Sequence, residues 1–147
     1  RSRGIELVEN HQTTSDTTSS DDENSLPVAG NIAAGLPIEA IEDQETINLN
    51  EFFVRPGRFV LRVQGDSMIE DGIFDGDMVI MESCQTARDN EIVIALIDQD
   101  EATLKRIKNN QDGSVTLIPA NSSMQPFRYS AERVSIQGRI VGQFRAY

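Results

Sequence analysis

Short apolar runs separated by turn-forming residues dominate the chain from residue 26 to its end. Continuous or alternating apolar runs of this length indicate strands, and no stretch keeps a helical repeat of apolar positions. Residues 68–74 fit a single helical turn. The predicted strands are residues 59–63, 78–81, 91–97, 102–108, 114–118, 134–136 and 138–145. The pattern therefore predicts a mostly β fold, a compact antiparallel β domain spanning residues 26–147.

The first 25 residues differ from the rest of the chain. Residues 9–25 contain no hydrophobic side chain and carry five acidic residues with no Lys or Arg. Such a segment cannot bury enough apolar surface to offset the entropy of ordering it, so we expect a disordered acidic linker. Residues 1–8 (RSRGIELV) alternate like the end of a strand whose partners would lie upstream. We therefore interpret residues 1–8 as the remnant of a preceding domain.

Charge and composition exclude several classes of protein. The net charge is −11, and residues 26–147 alone contain 11 Lys and Arg against 18 Asp and Glu. A nucleic-acid interface needs a basic footprint, so this part of the chain is a poor binder of phosphate backbones. One cysteine, Cys84, excludes an internal disulfide, and no apolar run is long enough for a membrane span. The sequence predicts a cytoplasmic domain without metal, cofactor or membrane partner.

Ser67 and Lys105 are the candidate catalytic residues. The single histidine, His11, lies in the predicted linker, so residues 26–147 contain no imidazole. A serine nucleophile in this domain cannot rely on a histidine base. The remaining strong option is a lysine whose amine is kept neutral by burial. Taken alone, Ser67 would be an ordinary turn residue and Lys105 an ordinary solvated strand residue.

The chain has two lysines, and strand geometry separates them. Side chains alternate between the two faces of a strand, so Lys105 shares a face with Thr103. Lys108 shares the opposite face with Leu104 and Arg106. Two basic residues favour the second face as the solvated one, which leaves Lys105 pointing inward. Burial lowers the pKa of a lysine, as a general base near neutral pH requires.

Three stretches resemble the LexA-type self-cleaving repressors, which belong with UmuD and phage repressors to one Ser-Lys peptidase group. They are residues 27–37 (PVAGNIAAGLP), 59–77 (FVLRVQGDSMIEDGIFDGD) and 102–107 (ATLKRI). Their order and separations are similar to those of the family, and the resemblance runs from about Leu26 to Gly142. Residues 1–8 also resemble the last strand of a LexA winged helix-turn-helix domain.

The resemblance implies a role for each site residue. Ser67 would be the nucleophile, Lys105 the neutral general base and Ala34–Gly35 the scissile bond. The backbone N–H groups of Asp66 and Ser67 would form the oxyanion hole. Departing from the commonest LexA form, Asp66 stands where Met is frequent, although Gly-Asp-Ser-Met also occurs in the group. No metal ligands are implied.

The Ala34–Gly35 peptide suits cleavage on physical grounds as well. Small side chains allow the backbone to approach a nucleophile closely, and glycine permits a bent conformation. The alternative interpretation is an ordinary turn before Pro37. A second alternative concerns Asp71, Asp75 and Asp77, which could suggest a metal site. We interpret them as turn residues around the neighbouring glycines, because they do not form a calcium-loop pattern.

The resemblance implies the C-terminal domain of a transcriptional repressor of the SOS response to DNA damage. A RecA filament on single-stranded DNA would stimulate self-cleavage and so end repression. We expect a homodimer, with an exposed strand at residues 134–145 pairing across the two-fold axis, and operator DNA bound only through the N-terminal domain. The alternatives are a UmuD-like subunit of a translesion polymerase, a phage-type repressor, or a β interaction module without chemistry.

Overall fold

The computed structural model describes residues 23–32, 35 and 45–147. The chain divides into two compact units, residues 1–54 and residues 55–147. Residues 1–8, most of the predicted linker and Ala34 lie outside the described residues. The interpretation of residues 1–8 as the remnant of a preceding domain therefore stays a prediction. No helix among the described residues is long and apolar enough to cross a membrane.

The described part of the first unit includes two short strands and a short helix. β1 (Ser25–Pro27) pairs antiparallel with β2 (Thr46–Asn48), and α1 (Leu49–Phe53) follows directly. The Asn48 side chain caps α1 by accepting a hydrogen bond from the Asn50 backbone N–H at 2.9 Å. β1 begins at the last residue of the predicted linker. None of these elements was predicted, because three-residue strands are too short to show an alternation.

Within the described part of the second unit, seven strands form one antiparallel sheet in the order β3-β4-β9-β5-β6-β7-β8. The prediction of a mostly β, antiparallel domain is confirmed. The bounds of the predicted strands differ from the observed bounds by no more than about two residues, with residues 134–136 and 138–145 forming one strand. The strands are β3 (Arg58–Arg62), β4 (Met78–Ser83), β5 (Ile92–Ile97), β6 (Glu101–Asn109), β7 (Val115–Ile118), β8 (Phe127–Tyr129) and β9 (Val134–Phe144).

β9 differs from the prediction in length, because it is one continuous strand and not two. It lies between β4 and β5, pairing with β4 through residues 138–144 and with β5 through residues 134–139. Dimer pairing through residues 134–145 stays a prediction. The outermost strands of this sheet are β3 and β8. Gly138 allows the close packing, because a Cβ there would lie 3.0 Å from the Glu82 carbonyl oxygen.

The sheet buries apolar side chains on both faces of β5, whose Val93 and Ala95 are fully buried. One core cluster lies on the face of β5 that carries Ile92 and Ile94, and it includes side chains of β3 and β4. A second cluster lies on the opposite face and includes side chains of β6 and β7. The first cluster contains Met68, Ile73, Val79, Met81, Ile92 and Ile94. The second contains Val93, Ala95, Ile97, Ile107 and Leu117. A strand buried on both faces explains the unbroken apolar run at residues 92–97.

Burial on β6 confirms one prediction and corrects another. Lys105 is half-buried and Lys108 is exposed, as expected from the alternation. The Leu104 face, however, is not solvated along its length, because Leu104 packs against the first core cluster. Both faces of this strand are covered near Lys105, and the residues at its two ends are exposed to solvent.

Candidate active site

Ser67 lies on the loop between β3 and β4, here called the Ser67 loop (residues 64–77). The two ends of this loop meet, because the Val63 backbone N–H donates to the Asp77 carbonyl at 2.8 Å. The side chain after the nucleophile, Met68, is 1% exposed and anchors the loop in the first core cluster. The predicted helical turn is confirmed as a 3₁₀ helix, Ile69–Asp71, ending at Gly72 with φ of +77°. The packing of Met68 therefore fixes the position of Ser67, which does not lie on a free turn.

Lys105 lies in the middle of β6, opposite Val93 of β5. Its Nζ is 3.3 Å from Ser67 Oγ, within hydrogen-bond distance. The Nζ also donates to the Thr103 hydroxyl, two residues earlier on the same face of the strand. The structure therefore brings together the serine and the lysine that the sequence singled out, although they are far apart in the chain.

Burial changes the protonation chemistry of Lys105. Desolvation of the ammonium lowers the pKa of Lys105 below its ordinary value of 10.5, while the Glu101 carboxylate partly opposes this shift. A lowered pKa increases the fraction of neutral amine at a given pH. The neutral amine has a lone pair, so it can accept the proton of a hydroxyl at hydrogen-bond distance.

Three aspartates of the Ser67 loop, Asp71, Asp75 and Asp77, each have a protein partner. Asp75 Oδ1 accepts from the Gly65 backbone N–H at 2.7 Å, and Asp71 Oδ2 accepts from Arg106 Nε at 2.9 Å. Asp77 accepts from the Phe74 backbone N–H at 2.8 Å. These bonds close the loop on itself and tie it to β6. They support our interpretation of the aspartates as turn residues.

Asp77 and Arg145 form a bidentate ion pair, with both N–O distances at 2.6 Å. The Asp77 side chain is 2% exposed, and Arg145 also donates to the Gly72 carbonyl. Hydrogen bonds from Arg145 and from the Phe74 N–H lower the pKa of Asp77 from 3.8 to about 2. The residues after β9 thus hold the far end of the Ser67 loop. The sequence did not reveal Arg145, because nothing local marks its partner.

A second loop, here called the Asn121 loop (residues 119–123), packs beside Ser67. Asn121 Nδ2 donates to the Asp66 carbonyl at 2.8 Å. The Glu70 backbone N–H donates to the Ala120 carbonyl at 2.7 Å, and the Ser122 backbone N–H donates to the Glu70 carboxylate at 2.7 Å. Sequence reasoning missed these contacts, since Asn in a Pro-Ala-Asn-Ser-Ser stretch reads as a turn residue. Thr103, by contrast, was placed on the face of Lys105 by alternation.

A groove of about 800 Å³ opens beside the Ser-Lys pair. Its walls are mainly apolar and come from β3, β6 and the Ser67 loop. Residues that line it include Leu61, Val63, Ser67, Ile94, Lys105 and Met124. A mainly apolar groove with a few polar groups is typical of a ligand-binding site.

The predicted scissile bond is only half described. Gly35 is exposed and has φ of +81°, a left-handed conformation that glycine adopts without strain. Ala34 lies outside the described residues, so the position of the Ala34–Gly35 bond stays a prediction. The oxyanion role of the Asp66 and Ser67 N–H groups is likewise a prediction.

The fold and the site define a class of protein, and comparison with known proteins agrees with it. The family model for Peptidase S24-like proteins matches residues 27–141, so the chain belongs to this peptidase family. The match spans the predicted scissile bond as well as Ser67 and Lys105.

Individual relatives are more specific. Over 122 residues the chain is 50% identical to the LexA repressor of Koribacter versatilis, covering 83% of this chain and 58% of that protein. It is 46% identical to the LexA repressor of Zymomonas mobilis, covering 83% and 56%. It is 42% identical to the LexA repressor of Alcanivorax borkumensis, covering 99% and 67%. These matches confirm the resemblance, and the chain spans between about half and two thirds of the length of such relatives.

Proposed function

We propose that this chain is the self-cleaving C-terminal part of a LexA-type transcriptional repressor and that it cuts its own Ala34–Gly35 bond. One observation carries the proposal: Lys105 Nζ lies 3.3 Å from Ser67 Oγ in a half-buried site. The absence of histidine from residues 26–147 leaves Lys105 as the base. The lowered pKa of Lys105 supports the same role.

The first step forms a tetrahedral intermediate. Neutral Lys105 takes the hydroxyl proton of Ser67 while Ser67 Oγ bonds to the carbonyl carbon of Ala34. The π electron pair of that carbonyl moves to its oxygen. The backbone N–H groups of Asp66 and Ser67 would stabilise the resulting oxyanion.

The second step releases the new amino terminus and restores the enzyme. The tetrahedral intermediate collapses, the C–N bond to Gly35 breaks, and the Lys105 ammonium protonates the departing amine. Neutral Lys105 then deprotonates a water molecule, which attacks the ester between Ser67 and Ala34. As the ester C–O bond breaks, the Lys105 ammonium returns the proton to Ser67 Oγ. The products are a carboxylate on Ala34 and a free Ser67 hydroxyl.

Small residues on both sides of the bond suit the proposed cleavage. An alanine on the acyl side adds only one methyl group, so its backbone can approach a nucleophile closely. The glycine on the amine side supplies the freedom to bend away from the nucleophile.

Cleavage would end repression by separating two functions. We propose that the full protein is a cytoplasmic homodimer whose N-terminal domain binds operator DNA and that a RecA filament on single-stranded DNA stimulates the cut. A dimer on a two-fold operator gains affinity from its linked half-sites. One cut in each chain removes this gain without changing any contact to DNA.

Intact mass measurement at two pH values tests the proposal. Wild-type chain incubated at pH 10 should yield fragments 1–34 and 35–147, with a much slower reaction at pH 7, because only neutral Lys105 can act as the base. The rate should not depend on protein concentration, because nucleophile and substrate share one chain. Ser67→Ala should stay intact in both buffers. An uncut wild-type chain, or cleavage elsewhere, would contradict the proposal.

The upstream coding sequence separates the repressor from a UmuD-like subunit of a translesion polymerase. A helix-turn-helix domain of roughly 60–70 residues supports the repressor. A short upstream arm would favour the UmuD-like protein, with the same self-cleavage chemistry.

A further inference from the structure

Asn121 is one of the few buried polar side chains in the described part of the domain, at 8% exposed. Its Nδ2 donates to the Asp66 carbonyl at 2.8 Å, and its Oδ1 accepts from the Ser123 backbone N–H at 2.9 Å. A carbonyl on one side and an N–H on the other define which end of the amide faces Asp66. The orientation of this side chain is therefore determined by its partners.

The Asp66 carbonyl and the Ser67 N–H belong to the same peptide group. This group is planar and trans, so the C=O and N–H bonds point in opposite directions. A hydrogen bond that holds the Asp66 carbonyl therefore also sets the direction of the Ser67 N–H. That N–H is one of the two donors proposed above for the oxyanion hole.

The Asn121 loop is attached on both sides of the nucleophile. Asn121 holds the residue before Ser67, while Ala120 and Ser122 bond to the backbone and carboxylate of Glu70, three residues after it. Two points of attachment prevent the Asn121 loop from shifting relative to the Ser67 loop. The Asn121 amide therefore has a fixed position relative to Ser67.

We propose that Asn121 is a positioning residue, which aims the Ser67 N–H at the developing oxyanion by holding the Asp66 carbonyl. This inference rests on the self-cleavage proposed above. Asp66 is exposed, so without Asn121 its carbonyl can bond to water in more than one orientation. The peptide plane then rotates, and the donor is no longer preorganised when charge develops.

The test compares rate-pH profiles of self-cleavage in the 147-residue chain. In Asn121→Ala the plateau rate at high pH should fall about 100-fold, the usual cost of losing or misplacing an oxyanion donor. The midpoint of the profile should stay within roughly 0.3 pH unit of wild type, because the surroundings of Lys105 Nζ are unchanged. The neighbouring exposed residue supplies the matched control, and Ser122→Ala should cleave at the wild-type rate.

A second variant separates positioning from loop stability. Asn121→Asp keeps the oxygen that accepts from Ser123 but loses the donor to Asp66. Its plateau rate should fall as far as that of Asn121→Ala, with a folded thermal transition confirmed for each variant. A plateau rate within threefold of wild type in Asn121→Asp would overturn the inference, as would a shifted midpoint with an unchanged plateau in Asn121→Ala. Absence of cleavage in wild type would instead refute the proposed function.

Discussion

The nucleophile and the base of the proposed site are positioned in two different ways. Lys105 lies on a regular strand, where the β5 ladder and packing on both faces hold its backbone. Ser67 lies on an irregular loop, where single side chains bond to backbone groups: Asp75 to Gly65, Asp77 to Phe74 and Asn121 to Asp66. In a strand, many backbone hydrogen bonds to the neighbouring strands together fix the position of each residue. A loop of this kind depends on a few side chains, each of which can be removed by one substitution.

This difference has a consequence for mutation. Around Lys105, only a change to the amine or to its burial should affect cleavage, because the backbone stays in place. Around Ser67, residues that touch no substrate should matter, because they determine where the nucleophile lies. Substitutions at Lys105 and around Ser67 can test that contrast.

The largest effect should come from the amine itself. Lys105→Ala should reduce the cleavage rate by more than about 1,000-fold, since no other base lies near Ser67 in the described structure. Lys105→Arg should be equally slow, because a guanidinium stays protonated at any pH the protein survives. Lys108→Ala is the matched control and should cleave normally, as Lys108 is exposed. Time courses by intact mass measure all three rates.

In the wild-type chain, cleavage should accelerate as pH rises through the lowered pKa of Lys105 and then level off. A flat rate profile between pH 7 and pH 10, or cleavage in Lys105→Ala, would contradict the proposal that Lys105 is the base for Ser67.

The next effect should come from the ion pair that holds the Ser67 loop. Arg145→Gln leaves the 2%-exposed Asp77 carboxylate without its main partner, so it should lower the melting temperature by more than about 5 °C and slow cleavage at least tenfold. Arg133→Gln breaks a comparable pair with Asp98, whose side chain is 50% exposed. Screening by solvent makes such a pair weak, so this control should shift the melting temperature by less than about 2 °C. Equal effects from the two variants would contradict the contrast.

Acid should destabilise the Ser67 loop by protonating Asp77. The pKa of Asp77 is lowered from 3.8 to about 2 in the folded protein, so its charged form is favoured by folding. Its contribution to stability is complete above about pH 4 and is lost as pH falls through about 2. Urea unfolding of the uncleavable Ser67→Ala chain at pH 5, 3 and 2 measures this loss. Adding Asp77→Asn should flatten the decline over that range, and an unchanged slope would show that other groups cause it.

The smallest effect should be a gain in stability at Lys105. Because burial lowers its pKa, folding disfavours the charged amine, and the resulting cost is greatest below the folded pKa. Stability should rise as pH increases from that lowered pKa toward 10.5. In a Ser67→Ala background, Lys105→Met should therefore raise the melting temperature at pH 7 by a few degrees, and the gain should shrink near pH 10. Scanning calorimetry at both pH values would reveal the opposite trend if the burial cost were absent.

Much of the fold was readable from alternation and turn residues, and the failures have a common cause. The long strands, the 3₁₀ turn after Ser67 and the inward direction of Lys105 followed from local patterns. The three-residue strands β1, β2 and β8 escaped, since so few residues cannot display a period. The site was predicted as far as Ser67 and Lys105. Asn121 and Arg145 were missed because their partners lie more than fifty residues away.

The sequence by itself determined the strand content, the lack of an imidazole in the folded domain and therefore the choice of a lysine as the base. Tertiary structure alone decided that β9 lies between β4 and β5, which places Arg145 on the Ser67 loop. It also decided that Leu104 is covered and that Asn121 holds the Asp66 carbonyl. Alternation and turn chemistry act between neighbours in the chain, and a sequence displays them directly. Strand order and buried polar pairs depend on which distant segments meet, and that is settled only when the whole sheet closes around its core.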